Sequence, residues 1–105
     1  MSSFLDSYSL DQACDEIAGL DIYSNPYDRF LFSRAAMKFL RNELRRESGI
    51  DLLSFIGERE IGEFCRLALS QHGRLDNDLA FIVVTTALKI EFNRVTSKPE
   101  GEGSA

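Results

Sequence analysis

The sequence is poor in the residue types that bind metal ions. It contains one histidine, His72, and two cysteines, Cys14 and Cys65, which stand far apart and form no CxxC motif. A zinc site needs three or four such ligands at short spacings, so the sequence predicts no metal site. Both cysteines lie among apolar neighbours, where free thiols usually pack as small hydrophobic groups. We therefore expect reduced thiols in a cytoplasmic protein.

Long apolar runs are also missing. The longest one, Leu79–Val84, is far shorter than the roughly 18 residues that cross a membrane. The first residues, Met1–Asp6, have neither the basic opening nor the apolar stretch of a secretion signal. These absences predict a soluble chain that has no membrane partner.

Arrangements that carry catalysis or hold cofactors are absent as well. His72 stands seven residues after Cys65, and on one helix this separates them by roughly 10 Å, too far for a thiol–imidazole pair. Asp11 and Asp15 are one helical turn apart, but no Glu-x-x-His pair accompanies them. The glycines are isolated and form no phosphate-binding loop. The sequence thus predicts neither an enzyme nor a bound cofactor.

What the sequence does contain is enough apolar material for one core. Of its 105 residues, 44% are hydrophobic and 28% are charged, a balance typical of globular proteins. This length suits one domain and leaves no room for two independent cores. We expect a helical domain over residues 9–96, a lead-in at residues 1–8 and a flexible acidic tail at residues 97–105.

Three segments combine helical periodicity with end signals. Ser9 and Gln12 have the spacing of a capping box, and Asn25 precedes a proline, which suits the first position of a helix. Glycines follow the apolar pattern of each segment and mark the helix ends. In chain order we predict a first helix from Leu10 to Ala18, a second from Pro26 to Ser48, a short helical turn within Ile50–Ile56 and a third helix from Glu58 to His72.

The segment Leu79–Val95 is ambiguous. Its β-branched run, residues 82–86, and the alternating pattern of residues 88–93 favour a strand. Against a strand, the segment is long, has no turn residue at which a hairpin would fold back, and follows residues 76–78, which suit a helix cap. We predict a buried helix here. The predicted fold class is therefore all-α, a single-domain bundle of four main helices and one short turn.

Charge is distributed unevenly along the chain. Residues 1–28 contain six acidic residues and no lysine or arginine, whereas residues 29–48 contain six basic residues and two acidic ones. Four of these bases recur at spacings of four, three and four, which places them on one face of the second helix. We call them the basic stripe: Arg34, Lys38, Arg41 and Arg45. The stripe is either a docking surface for an anionic partner or a solvated face that neutralises the acidic first helix.

These features favour a non-enzymatic protein-interaction module, such as an adaptor, an assembly subunit or a small inhibitor. Because the second and fourth helices are apolar around most of their circumference, a patch left uncovered would bind another protein or a second copy of the chain. One alternative is a subunit of a nucleoprotein complex whose stripe touches nucleic-acid backbone. The sequence pI of about 4.8 opposes nucleic-acid binding by this chain alone. An acidic mimic of nucleic acid is a third possibility.

Overall fold

Four α-helices and one 3₁₀ turn make up the regular structure of the described chain. The computed structural model describes the backbone of residues 8–104 and the side chains of residues 8–96. The elements are α1 Leu10–Ile17, α2 Pro26–Ser48, the 3₁₀ turn Leu52–Ser54, α3 Glu58–Gln71 and α4 Asn77–Ser104. The predicted all-α bundle is confirmed, and the described part of the chain contains no strand.

The predicted helix starts are present in the structure. Ser9 Oγ accepts a hydrogen bond from the backbone N–H of Gln12 at 3.2 Å, and Gln12 Oε1 accepts one from Ser9 N at 2.8 Å. Asn25 Oδ1 accepts from the N–H of Tyr27 at 2.9 Å. At the end of α2, Gly49 adopts a φ of +73° and donates its N–H to the carbonyl of Arg45. Only glycine takes this left-handed conformation without strain, so α2 ends there.

The ambiguous segment Leu79–Val95 lies inside α4, so the predicted helix is confirmed there. Its buried apolar residues recur at helical spacing: Ala80, Phe81, Val84, Leu88 and Phe92. The β-branched Thr85 is buried too, and its hydroxyl donates to the carbonyl of Phe81 at 2.8 Å. Burial of this helical stripe outweighs the weak strand preference of β-branched residues, because tertiary packing usually overrides propensity.

Helix α2 is the central element and packs against α1, α3 and α4. Phe81 of α4 meets the rings of Phe32 and Phe39 edge to face, each at 5.7 Å between centroids. Farther along both helices, Lys89 of α4 pairs with Glu47 of α2. The two helices therefore run side by side in the same general direction. On the other side of α2, α3 runs back past it, since Gly62 approaches Ser33 while Glu58 lies beside Arg41 and Arg45.

Asn77 joins the end of α1 to the start of α4. Its side-chain amide donates to the carbonyls of Ile17 and Leu20 at 2.8 and 2.9 Å. Nearby, the hydroxyl of Tyr23 accepts a hydrogen bond from the backbone N–H of Leu75 at 2.9 Å. The Asn77 bonds supply donors to carbonyls near the end of α1, where the helix itself no longer provides N–H groups. Together with the Tyr23 bond, they hold distant parts of the chain together.

Burial differs from the sequence prediction at the start of α2. The first half of α2 is apolar around most of its circumference, a pattern that predicts cover by other elements on several sides, but Tyr27 and Phe30 are exposed. Their rings stack on each other at 6.2 Å, and the guanidinium of Arg34 lies 5.9 Å from the Phe30 ring. Phe30 stands one turn before Arg34, so it belongs to the outward face of α2 and not to the core.

The two ends of the chain are only partly described by the structure. Tyr8, the last residue of the predicted lead-in, is buried, while residues 1–7 lie outside the described residues. Side chains after Thr96 are not described, so the flexible tail predicted for residues 97–105 also lies outside the fully described part and stays a prediction. Across the described residues, no helix combines the length and the apolar character that a membrane crossing requires.

Candidate functional site

The structure confirms that the basic stripe occupies one face of a continuous helix. Arg34 and Arg45 are exposed, and Lys38 and Arg41 are half-buried. The core side of α2 is formed by Phe32, Ala36, Leu40 and Leu44, which lie on the opposite side of the helix. The stripe therefore points away from the bundle.

Arg41 ties the stripe to the connection that follows α2. Its Nε and Nη2 atoms donate to the two carboxylate oxygens of Asp51 at 2.8 and 3.1 Å. Asp51 also caps the 3₁₀ turn by accepting from the N–H of Leu53, and Arg45 lies 3.9 Å from the same carboxylate. The hydrogen bond from Arg41 lowers the pKa of Asp51, and Asp51 raises the pKa of Arg41. Arg41 thus has a structural role in addition to any binding role.

Lys38 connects the stripe to α1. Its Nζ lies 3.5 Å from Glu16 Oε2 and 4.5 Å from the centre of the Tyr8 ring. The Tyr8 hydroxyl donates to the other oxygen of Glu16 at 2.9 Å. Burial, together with this hydrogen bond to Glu16, raises the pKa of Tyr8. At this position the stripe does neutralise the acidic first helix, as the second interpretation of its charge requires.

Arg34 differs from the other three members of the stripe. Among the described side chains it forms no ion pair, and its guanidinium lies over the Phe30 ring, 5.9 Å from the ring centre. An exposed cation that pairs with no carboxylate keeps its charge available to a ligand. The structure therefore divides the stripe into three cations that serve the fold and one that stays available.

A groove follows the stripe on the surface of α2. It has a volume of about 370 Å³ where it passes Phe30, Met37 and Ile61, and about 270 Å³ where it passes the four cations and Asn42. The two parts share Arg34, Met37 and Glu58. Asn42 was not predicted as a site residue, although its position four residues after Lys38 was a usable signal, because residues four apart on a helix are neighbours on its surface.

Asn42 is the unusual residue of this groove. It is only 4% exposed, and its Nδ2 is the one deeply buried side-chain N or O atom among the described residues that has no hydrogen-bond partner. Buried amides are almost always hydrogen-bonded, and an unpaired donor costs about 1 to 3 kcal/mol. An acceptor that reaches this amide would therefore be stabilised.

A second surface lies on the outer side of α4. We define the α4 outer face by four exposed residues at helical spacing: Leu79, Ile82, Thr86 and Ile90. The three aliphatic side chains are 49%, 44% and 63% exposed. No charged residue occurs in residues 79–88, so this part of the face is uncharged over almost three helical turns. This is the uncovered patch that the sequence predicts for a helix apolar around most of its circumference.

The candidate catalytic groups do not come together in the structure. Cys65 is fully buried, and burial raises the pKa of its thiol to about 12. Cys14 is half-buried, and burial and the nearby Asp78 raise its pKa. His72 is exposed just after the end of α3. Raised thiol pKa values disfavour the thiolate that a nucleophile needs.

Metal ligands are also dispersed within the part of the chain that the structure describes. No group of three or more histidine, cysteine, aspartate or glutamate side chains is close enough there to hold a metal ion. The two surfaces of α2 and α4 are thus the features from which a function can be argued. Comparison with known proteins adds no relative to this picture: no protein-family model, no curated protein and no solved structure matches the chain.

Proposed function

We propose that this protein is a non-enzymatic interaction module of the cytoplasm, an adaptor, assembly subunit or small inhibitor, that binds another protein through the α4 outer face. The observation that carries the proposal is the exposure of Leu79, Ile82 and Ile90 along one side of α4, whose residues 79–88 include no charged side chain. Isolated exposed aliphatic residues are common on protein surfaces, but aligned ones mark places where a partner binds.

The partner that fits this face is an amphipathic helix with its apolar side turned towards α4. Two such helices pack with their aliphatic side chains interdigitated and no charge between them. Complete burial of one Leu or Ile side chain stabilises by about 1.5 to 3 kcal/mol, so covering three half-exposed ones contributes about 3 kcal/mol. This corresponds to roughly a hundredfold in affinity, so loss of these contacts should be measurable as a loss of partner binding.

The experiment compares capture of proteins from the native host by three forms of the chain. Ile90→Asp places a charge in the α4 outer face, and Tyr27→Asp is its matched control on α2, because the two side chains are 63% and 64% exposed. We expect the wild type and Tyr27→Asp to capture the same partner and Ile90→Asp to lose it. Circular dichroism establishes that all three forms are folded.

Other results of this experiment would change or refute the proposed interface. If light scattering shows that the wild type is a dimer and Ile90→Asp is a monomer, the partner helix is α4 of a second copy. Equal capture by the wild type and Ile90→Asp would refute the role of the α4 outer face. Loss of capture by Tyr27→Asp alone would move the interface to the α2 side.

A subunit of a nucleoprotein complex is the second candidate, and the observation that favours it is the outward basic stripe. Three of the four stripe cations form ion pairs within the chain, so about one phosphate contact remains for Arg34. A loss of binding with salt whose log–log slope corresponds to at least this one phosphate contact would favour this candidate over an apolar protein interface, which should depend little on salt.

A further inference from the structure

We propose that the groove on α2 is a binding site for a phosphate monoester whose phosphate group lies at the stripe cations beside Asn42 and whose apolar part lies beside Phe30 and Met37. The inference does not depend on the α4 outer face, which lies on a different helix.

The buried amide of Asn42 defines the kind of atom that the groove accepts. Nδ2 of an asparagine can only donate hydrogen bonds, so its missing partner has to be an acceptor. Around it, the groove is lined by Arg34, Lys38, Arg41 and Arg45, whose polar atoms are also donors only. Glu58 is the single acidic residue of the lining. Such a surplus of donors and positive charge favours an oxyanion over a neutral ligand.

Internal ion pairs leave part of this donor set available. Arg41 uses Nε and Nη2 for Asp51, and Lys38 reaches only one carboxylate oxygen, at 3.5 Å. A guanidinium has five N–H donors and an ammonium three, so both retain donors for a ligand. Arg34 keeps all of its N–H donors for a ligand, because no described carboxylate pairs with it. The local charge also differs from that of the whole chain, since residues 29–48 contain six bases and two acids.

The shape of the groove indicates that the anion is carried on an apolar group. A bare phosphate is smaller than the charged part of the groove, about 270 Å³, and that part continues into the apolar cleft of about 370 Å³. Phe30, Met37 and Ile61 line this cleft, and Arg34 borders both parts. A monoester with an aromatic or aliphatic body contacts both parts at once, whereas inorganic phosphate contacts only the charged part.

The test uses phenyl phosphate as the probe, with ionic strength held constant by sodium chloride. We expect its addition to shift the side-chain amide NMR signals of Asn42 and to raise the melting temperature, because a ligand that binds only the folded state stabilises it. Inorganic phosphate should act at the same residues but more weakly. The proposal is overturned if the Asn42 signals do not respond to phenyl phosphate.

Two substitutions and one control test whether Arg34 and Asn42 form the phosphate site. Arg34→Gln removes the available cation without breaking an ion pair, and we expect roughly a five- to tenfold loss of affinity, typical of one charge-assisted hydrogen bond. Asn42→Leu removes the buried donor at similar volume and should weaken binding about tenfold. Arg94→Gln removes an exposed cation of α4, outside the groove, and should leave the affinity unchanged. Equal affinity of Arg34→Gln and Arg94→Gln would contradict the site.

One further comparison distinguishes a small phosphate monoester from the phosphate backbone of a nucleic acid. A single-stranded oligonucleotide presents phosphodiesters in place of monoesters. If it binds more tightly than phenyl phosphate, with a steep dependence on salt, the groove binds nucleic-acid backbone and the monoester proposal is wrong. Retention of phenyl phosphate binding by Ile90→Asp would show that the groove acts independently of the α4 outer face.

Discussion

Charge reversal of Arg41 and of Arg34 should affect the stability of this protein very differently. Both residues belong to the basic stripe, and both are long cations on the outward face of α2. Arg41 donates two hydrogen bonds to Asp51, whereas Arg34 only approaches the Phe30 ring, at 5.9 Å. The pair Arg41→Glu and Arg34→Glu therefore compares the same chemical change with and without a structural partner.

The expected magnitude follows from the geometry of the Arg41–Asp51 pair. The two side chains are 38% and 34% exposed, so solvent screens the pair, and it contributes about 1 kcal/mol. The glutamate of Arg41→Glu would add repulsion from Asp51 and Glu58 of about another 1 kcal/mol. A total loss of about 2 kcal/mol lowers the melting temperature of a domain of this size by roughly 8 °C. Loss of the exposed cation–π contact of Arg34 costs about 0.5 kcal/mol.

Urea unfolding followed by far-ultraviolet circular dichroism measures both free energies. Repeating the unfolding at high salt adds a second criterion, because screening shortens the Debye length and should recover part of the loss in Arg41→Glu. The wild type supplies the reference at each salt concentration. Equal free energies of unfolding for the two variants would refute the division of the stripe into structural and available cations.

Three further predictions concern single positions. The wild type should be more stable than Asp51→Asn above about pH 4, and this difference should shrink at lower pH. The reason is that the pairing with Arg41 lowers the pKa of Asp51 in the folded state, and protonation of Asp51 removes that pairing. Urea unfolding across this pH range measures the difference in the free energy of unfolding. Asn77→Ala should cost about 1 to 2 kcal/mol on thermal unfolding, since it removes donors to two carbonyls at the end of α1. A thiol reagent should label Cys14 in the folded protein and Cys65 only on unfolding, because Cys65 is fully buried and its pKa is about 12.

Much of the fold could be predicted because the local signals agree with the packing. The capping box at Ser9 and the Asn25–Pro26 start are set by neighbours in the sequence, and the structure contains both. Leu79–Val95 was harder, because β-branched residues favour a strand locally. Only the helical spacing of its buried residues, together with the absence of a turn, indicated the helix that the structure shows.

The candidate site was harder to predict than the fold, because its properties depend on residues far apart in the chain. Helical spacing was enough to align the basic stripe. The partners of its cations were not predictable, since Asp51 belongs to the next turn and Glu16 comes from α1, twenty-two residues before Lys38. The unpaired amide of Asn42 was equally hidden, because only the packed structure shows which polar atoms are buried and what they contact.

The two proposed surfaces should act independently, and this is a prediction in its own right. The α2 groove is lined by residues of α2 and α3, whereas the α4 outer face lies on the side of α4 opposite its buried residues, which include Phe81 and Leu88. Effects of substitutions add when the sites are distant and share no contacts. We expect the double variant Arg34→Gln/Ile90→Asp to lose phenyl phosphate affinity as much as Arg34→Gln alone, and protein capture as much as Ile90→Asp alone. If wild-type protein that carries its captured partner binds phenyl phosphate with altered affinity, the surfaces are coupled, and by linkage the phosphate ligand would change partner affinity by the same factor.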